Sequence, residues 1–332
     1  MYRRQLQAIQ LVRWVLLPAL PVRAAIDFSN PLEIIVEEVS DFVNSQLGPS
    51  EVGASYAALI NFAGNPDIST ATYNIDAGKG STAELNVGRF SYRHRFGKKG
   101  DSWRPYLQGF IPYESLQYDL NFTADSEDAD ARWEAVGLIL TGGSQFFLSE
   151  RLTLTPAINV GAFQLESNAG YRGAVSESIL DPAFQGQVFD WTAYAWVLGA
   201  SFWMDYSWEF RTFDAALHTG ATYNHVESFS STSDEIAFSS EALTVSGSFE
   251  TIHSTPISLN GNPISLVFSV GATAILGPAG RALGFSSFTD YGAAVQMDVS
   301  RMGWPVTMLE LGVKVIYGPG VTGWSLILNY DF

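Results

Sequence analysis

The sequence predicts an all-β fold, a 12-stranded antiparallel transmembrane β-barrel with one short N-terminal helix in or near the lumen. Large apolar residues alternate with polar or small ones over long segments, as in strands with one lipid-facing side. Charged residues make up only 16% of the chain and aromatic residues 14%, whereas about a quarter of a soluble domain is charged. No stretch reaches about eighteen consecutive apolar residues, so strands rather than helices are expected to cross the membrane. A soluble all-β protein with a large core is the alternative.

Residues 1–25 are expected to form an export signal peptide. Arg3, Arg4 and Arg13 give it a basic region, and the short apolar segment 14–22 follows. Small residues up to Ala25 suit cleavage.

Residues 26–67 are expected to form an N-terminal helix and a linker. Asn30 is a good N-cap, Pro31 suits the first helical turn, and Gly48 is a stop. Between them the apolar residues fall on one stripe of a helix. Two placements stay open: the helix enters or caps the barrel lumen, or it rests on the periplasmic rim.

Residues 68–332 are expected to form the barrel, because successive segments alternate with period two. The twelve predicted strands lie near 68–77, 82–96, 102–120, 132–148, 151–165, 188–205, 208–226, 235–252, 264–276, 285–299, 305–317 and 321–332.

The lengths of the connections predict which end faces outside. Membrane barrels have short periplasmic turns and longer outside loops. With both barrel ends in the periplasm, most predicted turns are short, and 123–131 and 166–187 become long outside loops. The stretch 253–263 is an exception, since it is long and expected to be periplasmic.

Aromatic residues gather near the predicted strand ends, as expected of girdles at the two membrane interfaces. The periplasmic group is Trp103, Tyr106, Phe146, Phe147, Phe202, Trp203, Tyr206, Trp208, Phe210 and Trp304, and the outside group is Trp133, Trp191, Tyr291, Tyr317 and Trp324.

The last strand carries a terminal pattern of large apolar residues at every second position. These residues are Trp324, Leu326, Leu328, Tyr330 and Phe332. The segment resembles the terminal strand of bacterial outer-membrane barrels, which the barrel-assembly machinery reads as its insertion signal. That resemblance implies an integral protein of the Gram-negative outer membrane.

Twelve strands after a short helix, with this terminal strand, resemble the translocator barrel of autotransporters. The chain is similar above all to the solitary autotransporter-like barrels that lack a passenger, because only some forty residues separate the expected cleavage site from the first strand. This resemblance implies no catalytic residue.

Charged residues on the lumen side of the predicted strands are candidates for a functional site. By strand parity they are Arg89, Arg93, Asp214, His218, Asp290, Asp298, Glu310 and Lys314. Charges of both signs inside a twelve-stranded tube either form a network that fills the interior or line a narrow water path.

An enzyme is the alternative function, either phospholipase-like or protease-like. A phospholipase needs a serine and an oriented histidine on neighbouring positions, and His225 with Ser228 is the nearest approach. A protease needs paired acids at the outer rim, where Asp125, Glu127, Asp128 and Asp130 are expected to cluster in one loop. A solvated acidic loop is the simpler interpretation of that cluster, and cation binding next to lipopolysaccharide is the other.

The sequence therefore predicts a non-catalytic, structural or narrow-pore outer-membrane barrel, with a translocator of a separate polypeptide as a further alternative. No cofactor and no metal site are predicted, since no metal-ligand spacing occurs and the chain has no cysteine. The expected partners are outer-membrane lipid, lipopolysaccharide and the barrel-assembly machinery, and the expected state is a monomer. The net charge of -16 argues against nucleic acid as a partner.

Overall fold

A computed structural model describes residues 58–62, 70–76, 82–98, 100–121, 128–172, 177, 181–185, 189–232, 236–259, 261–302 and 306–331. The predicted signal peptide and the predicted helix after Asn30 lie outside these residues. Among the helices of the described ranges, none combines the length and the apolarity that a membrane crossing requires.

The described chain forms a closed antiparallel barrel of twelve strands, as predicted. The strands are β1 (Thr70–Asp76), β2 (Thr82–Arg95), β3 (Trp103–Asn121), β4 (Asp128–Phe147), β5 (Leu152–Arg172), β6 (Trp191–Glu209), β7 (Asp214–Ser231), β8 (Ser239–Leu259), β9 (Asn262–Leu276), β10 (Ser287–Asp298), β11 (Met308–Gly318) and β12 (Val321–Asp331). Each strand pairs with its neighbours in sequence, and β1 closes the barrel by pairing Thr70–Ile75 with residues 321–326 of β12.

Within the described ranges, three short helical segments accompany the strands. Helix α1 spans residues 58–62, α2 spans Asp181–Phe184, and α3 spans Pro278–Ala282. A 3₁₀ turn at Ser300–Met302 follows β10.

The barrel has two different ends. The turn end carries the connections 96–102, 148–151, 210–213, 260–261 and 299–307. The loop end carries the connections 77–81, 122–127, 173–190, 232–238, 277–286 and 319–320.

The expectation of a long connection at 253–263 is wrong. β8 continues to Leu259 and β9 begins at Asn262, so only two residues connect them. Gly261 has a φ of 81°, which suits so tight a turn. The pairing of β8 with β9 is irregular between Ser254 and Ser258. This irregularity interrupts the alternation of apolar and polar residues, so the end of β8 is not recognisable as a strand from the sequence.

The polarity of the barrel wall reverses between its two ends. Towards the turn end of β4, the outward residues Val136, Leu138 and Leu140 are apolar and exposed. Towards the loop end of β4, the outward residues are Glu134 and Arg132. We call these two parts of the barrel the turn-end zone and the loop-end zone.

The same reversal occurs on the neighbouring strand β5. The outward residues Ile158 and Val160 are exposed and apolar, whereas Gln164 and Glu166 follow on the same face and are joined by a 2.6 Å hydrogen bond. From Val136 to Phe146 the apolar face of β4 covers about eleven residues, the length of a strand that crosses a bilayer. The turn-end zone is thus built to sit in lipid, and the strands continue beyond it.

This reversal explains why several strands are longer than predicted. β5 runs to Arg172 although its predicted end is residue 165, because outward apolar residues stop where the loop-end zone begins. For the same reason β4 begins at Asp128, not 132. The prediction that Asp128 and Asp130 belong to an outside loop is therefore wrong, since both lie in β4; Asp125 and Glu127 lie outside the described residues.

An apolar core fills the lumen of the loop-end zone. Within α1, Leu59, Ile60 and Phe62 are at most 3% exposed. Leu59 and Phe62 belong to a cluster with residues of β1, β2 and β8–β12, and Ile60 belongs to a second cluster with residues of β3–β7. The ring of Phe62 meets Tyr73 of β1 at 4.9 Å and Phe285 of the loop end at 5.8 Å. Helix α1 thus packs against opposite walls of the barrel at this end.

The girdle prediction is wrong for four aromatic residues, which lie on the lumen side of the wall. Tyr106 and Trp191 are 5% and 2% exposed, Trp133 packs against both apolar clusters, and Trp203 covers Gly220 across the β6–β7 pair. Several others are exposed as expected, namely Trp103, Phe146, Phe202, Tyr291, Tyr317 and Trp324. Trp304 lies outside the described residues.

Candidate functional site

The lumen of the turn-end zone is polar, and its charges fall into two arcs. Strands β6 to β11 contribute most of the acidic side chains, and we call this part of the wall the acidic arc; its charged residues are Asp205, His218, Glu250, Asp290, Glu310 and Lys314. Strands β2 and β3 contribute arginines, and we call that part the basic arc; it includes Arg89 and Arg93 of β2.

Lys314 of β11 is the cation at the centre of the acidic arc. Its Nζ lies 3.1 Å from Oδ1 of Asp290 on β10, and both side chains are mostly buried. The contact is an ion pair without the alignment of a hydrogen bond. Lys314 is also close enough to Glu250 and Glu310 to interact with both electrostatically.

Two glycines make room for this cluster. A Cβ at Gly271 would overlap the carboxylate of Asp290, whose Oδ1 would lie 2.9 Å away. A Cβ at Gly292 would lie 3.0 Å from Cγ of Lys314. The small residues of β9 and β10 thereby let long charged side chains lie across the wall.

His218 of β7 continues the arc between two carboxylates. Its Nδ1 lies 2.7 Å from Oδ1 of Asp205 on β6, and its Nε2 lies 3.6 Å from Oε2 of Glu250 on β8. Acids and bases therefore alternate from Asp205 through His218 and Glu250 to Lys314 and Asp290. Such alternation lets partly buried charges compensate one another.

The other acidic candidates lie nearer the turn end. Glu310 is 7% exposed and accepts a 3.4 Å hydrogen bond from Nδ2 of Asn329. Asp214 and Asp298 are exposed at the ends of their strands, and Asp298 accepts a 2.9 Å hydrogen bond from the backbone N–H of Ser300. These two aspartates border the lumen instead of joining the cluster around Lys314.

The basic arc holds its arginines against neighbouring side chains. Nε and Nη2 of Arg93 donate hydrogen bonds of 2.9 and 2.8 Å to Oε1 of Gln108. The guanidinium of Arg93 lies 5.1 Å from the ring centre of Tyr106, and that of Arg89 lies 4.0 Å from the ring centre of Phe110. Stacking on a ring and forked hydrogen bonds fix the orientation of a guanidinium.

A chain of neutral hydrogen bonds lies on strands β4 to β7, between the two arcs. Thr141 of β4 donates to Asn159 of β5 at 2.8 Å, and Asn159 donates to Ser201 of β6 at 2.8 Å. Ser201 in turn lies 3.0 Å from Oγ1 of Thr222 on β7. A connected network of this kind makes the wall rigid, since each member restrains the next.

Glu114 of β3 has no compensating partner in the part of the chain that the structure describes. It faces the lumen where the apolar core begins, it is 1% exposed, and neither carboxylate oxygen forms a hydrogen bond. Asn61 of α1 is similarly 3% exposed, with both amide atoms unbonded. Burying such groups without partners costs stability.

One residue at the loop end has an unusual backbone conformation. Asp190, immediately before β6, has a φ of 58°, which is rare for a residue with a side chain. Partial burial raises the pKa of its carboxyl group. Next to it, Phe189 packs on Trp133 with the ring centres 5.5 Å apart.

His225, the histidine of the enzyme hypothesis, faces outward from β7. Its Nε2 and Nδ1 lie 3.8 Å from carboxylate oxygens of Glu227 and Glu241, and its ring lies 5.2 Å from that of Trp196. Ser228 instead exchanges hydrogen bonds with the backbone of Phe238. Within the described ranges, no group of three or more His, Asp or Glu side chains is arranged to hold a metal ion.

Sequence reasoning missed several residues of this site. Asp205, Glu250 and Gln108 are partners of predicted residues, and their strand parity places them on the lumen side. Helix α1 gave no sign in the sequence, because five residues show no periodicity and its burial depends on both walls of the barrel.

A family model described as the solitary outer membrane autotransporter β-barrel domain matches residues 65–332. No curated protein matches the chain. The match to the family model covers most of the chain.

A solved autotransporter barrel has a similar fold, and two others match less well. The transport unit of AIDA-I from Escherichia coli is 9% identical with a TM-score of 0.53, and the match covers 85% of this chain and 99% of that one. The β-domain of BrkA from Bordetella is 12% identical with a TM-score of 0.49, covering 79% and 96%. The translocator domain of NalP from Neisseria meningitidis is 12% identical with a TM-score of 0.48, covering 79% and 85%. At 9% identity the likeness to the AIDA-I transport unit concerns the fold alone.

Proposed function

Because the chain belongs to the solitary outer-membrane autotransporter β-barrel family, we propose that it is a non-catalytic outer-membrane barrel whose resting state is closed at the loop end. Apolar side chains at most 3% exposed place α1 between the two apolar clusters, and this observation carries the proposal. A packed apolar core leaves no continuous polar path for ions or for a separate polypeptide.

The proposed orientation puts the turn end in the periplasm and the loop end outside. Short turns and longer loops are divided in this way in membrane barrels of this type. The charged lumen of the turn-end zone then opens towards the periplasm, and the acidic and basic arcs face each other across it. Opposed charges across a lumen orient polar solutes, which suits a narrow pore that α1 keeps shut.

The outward face of β12 supports insertion by the barrel-assembly machinery. Trp324, Leu326 and Leu328 are 48%, 43% and 60% exposed and form one apolar row. The backbone of Tyr330 pairs with Leu309, and Phe332 lies outside the described residues. Outer-membrane lipid is the proposed environment of this row.

Non-catalytic behaviour is supported by the surroundings of two of the histidines, His218 and His225. His218 and His225 are each flanked by two carboxylates. A serine hydrolase instead needs a serine hydroxyl within hydrogen-bond distance of the histidine ring.

Planar-bilayer recording tests the closed state. The wild-type protein is expected to show no steady open-channel current. Replacing Ile60 and Phe62 together by serine removes apolar contacts from both clusters and is expected to produce discrete open-channel steps that scale with salt concentration.

The exposed Phe210 of a turn-end connection provides the control, because Phe210→Ser leaves the loop-end core intact. Heat-modifiable migration on gels reports that each variant is a folded barrel. A wild-type current as large as that of the double variant would contradict the proposal.

A further inference from the structure

We propose that the outer surface of β5, β6 and β7 binds the sugar portion of an outer-leaflet glycolipid through the exposed rings of Tyr194 and Phe229. The two ring centres lie 6.3 Å apart with the planes tilted by 33°. Tyr194 is 40% exposed and Phe229 is 62% exposed. This inference does not depend on whether the lumen conducts, but it does place the loop end outside.

A β-bulge puts Phe229 beside Tyr194. Ala195 pairs with Ser228 and Tyr194 pairs with Ser230, so Phe229 is an extra residue in β7 without a partner in β6. A bulge redirects a side chain at the cost of regular pairing, and bulges are common at functional sites.

The membrane's hydrocarbon does not account for the exposed ring of Phe229. His225 and Glu227 precede it on the outward face of β7, and Glu241 of β8 lies 3.8 Å from His225. Charged side chains of this kind end the apolar face of a strand, and Phe229 is beyond them on the loop side. An exposed aromatic pair in a polar surface indicates a binding site.

The surroundings of the pair identify the occupant. Gln164 of β5 is two strands from Phe229 and pairs with Tyr194 in the sheet register, and it donates a hydrogen bond to Glu166. Exposed ring faces beside amide and carboxylate groups suit sugar rings, which offer C–H groups to stack and hydroxyls to hydrogen-bond.

The glycolipid assignment follows from position and charge. Below the pair, the exposed Leu198 and Phe202 continue the same face of β6 into the turn-end zone, so one ligand with acyl chains and a sugar head could cover both. Glu166, Glu227 and Glu241 make this surface acidic and disfavour direct contact with phosphate groups. Neutral sugars of the head group are the better match.

Binding of two lipopolysaccharide fractions to the detergent-solubilised barrel tests the proposal. The probes are rough lipopolysaccharide, which carries core sugars, and lipid A, which has none. The wild type is expected to bind the rough form at least tenfold more tightly. Tyr194→Ser with Phe229→Ser is expected to bind both equally, whereas Phe229→Trp keeps the preference because it retains a ring.

Tyr317→Ser is the matched control, since Tyr317 is 69% exposed on β11, away from the pair. It is expected to keep the wild-type preference. Equal wild-type binding of the two probes, or a preference that survives loss of both rings, would overturn the proposal. Loss of the wild-type preference in the presence of EDTA would also overturn the proposal, because it would show that divalent cations bridge the protein to phosphate groups. Heat-modifiable migration confirms that each variant is folded.

Discussion

Replacing Lys314 by methionine is expected to destabilise the barrel by about 2–4 kcal/mol, because it leaves a cluster of partly buried carboxylates without their cation. Asp290 loses its 3.1 Å ion pair and is only 12% exposed at its side chain. Methionine retains much of the length and apolar contact of the lysine stem, so the loss reports charge and not volume. The midpoint of urea unfolding in lipid vesicles measures the effect.

A double substitution distinguishes lost pairing from lost packing. Lys314→Met combined with Asp290→Asn removes both charges and is expected to recover part of the stability, as a double-mutant cycle requires of interacting residues. Asp298, exposed at the end of β10, is the control, and Asp298→Asn is expected to change stability little. Additive effects of the Lys314 and Asp290 substitutions would contradict the account of the acidic arc.

Replacing Glu114 by leucine is expected to stabilise the barrel by about 1–3 kcal/mol, since an apolar side chain of similar size removes a buried and unpaired carboxyl group. Glu114 is 1% exposed beside the apolar core, and neither oxygen is hydrogen-bonded to any residue that the structure describes. A rise in the urea midpoint checks this.

Gln108 of the same strand provides the matched comparison. It is also a buried polar residue of the lumen wall, but it accepts two hydrogen bonds from Arg93. Gln108→Leu is therefore expected to destabilise the barrel by about 1–3 kcal/mol. If Glu114→Leu destabilised it to the same degree, Glu114 would have a partner that the geometry does not provide.

The fold was predictable because lipid forces a period of two on every crossing strand. The apolar face from Val136 to Phe146 exists only because that part of β4 meets the membrane, and it is readable without any contact information. The same physics explains the errors. Beyond the membrane the polarity reverses, so β4 and β5 extend past their predicted limits, and Trp133 and Trp191 face inward where a girdle was expected.

For the candidate site, the sequence predicts which residues face the lumen but not which residues contact one another. Strand parity indicates that His218 and Lys314 face the lumen, but their partners depend on the register between strands. Asp205 meets His218 across an antiparallel pair, and no local pattern fixes that register. Helix α1 is a product of tertiary packing, since its burial comes from two walls that are far apart in the sequence.

Single-cysteine labelling along β4 is the most direct test of the claim that the turn-end zone alone is embedded in lipid. The chain has no cysteine, so each introduced thiol reports one position. In lipid vesicles, a membrane-impermeant maleimide is expected to label Arg132→Cys rapidly and to leave Leu138→Cys and Leu140→Cys protected by lipid. Equal labelling of all three positions would contradict a membrane-embedded zone, and protection at position 132 would contradict the reversal of polarity that bounds it.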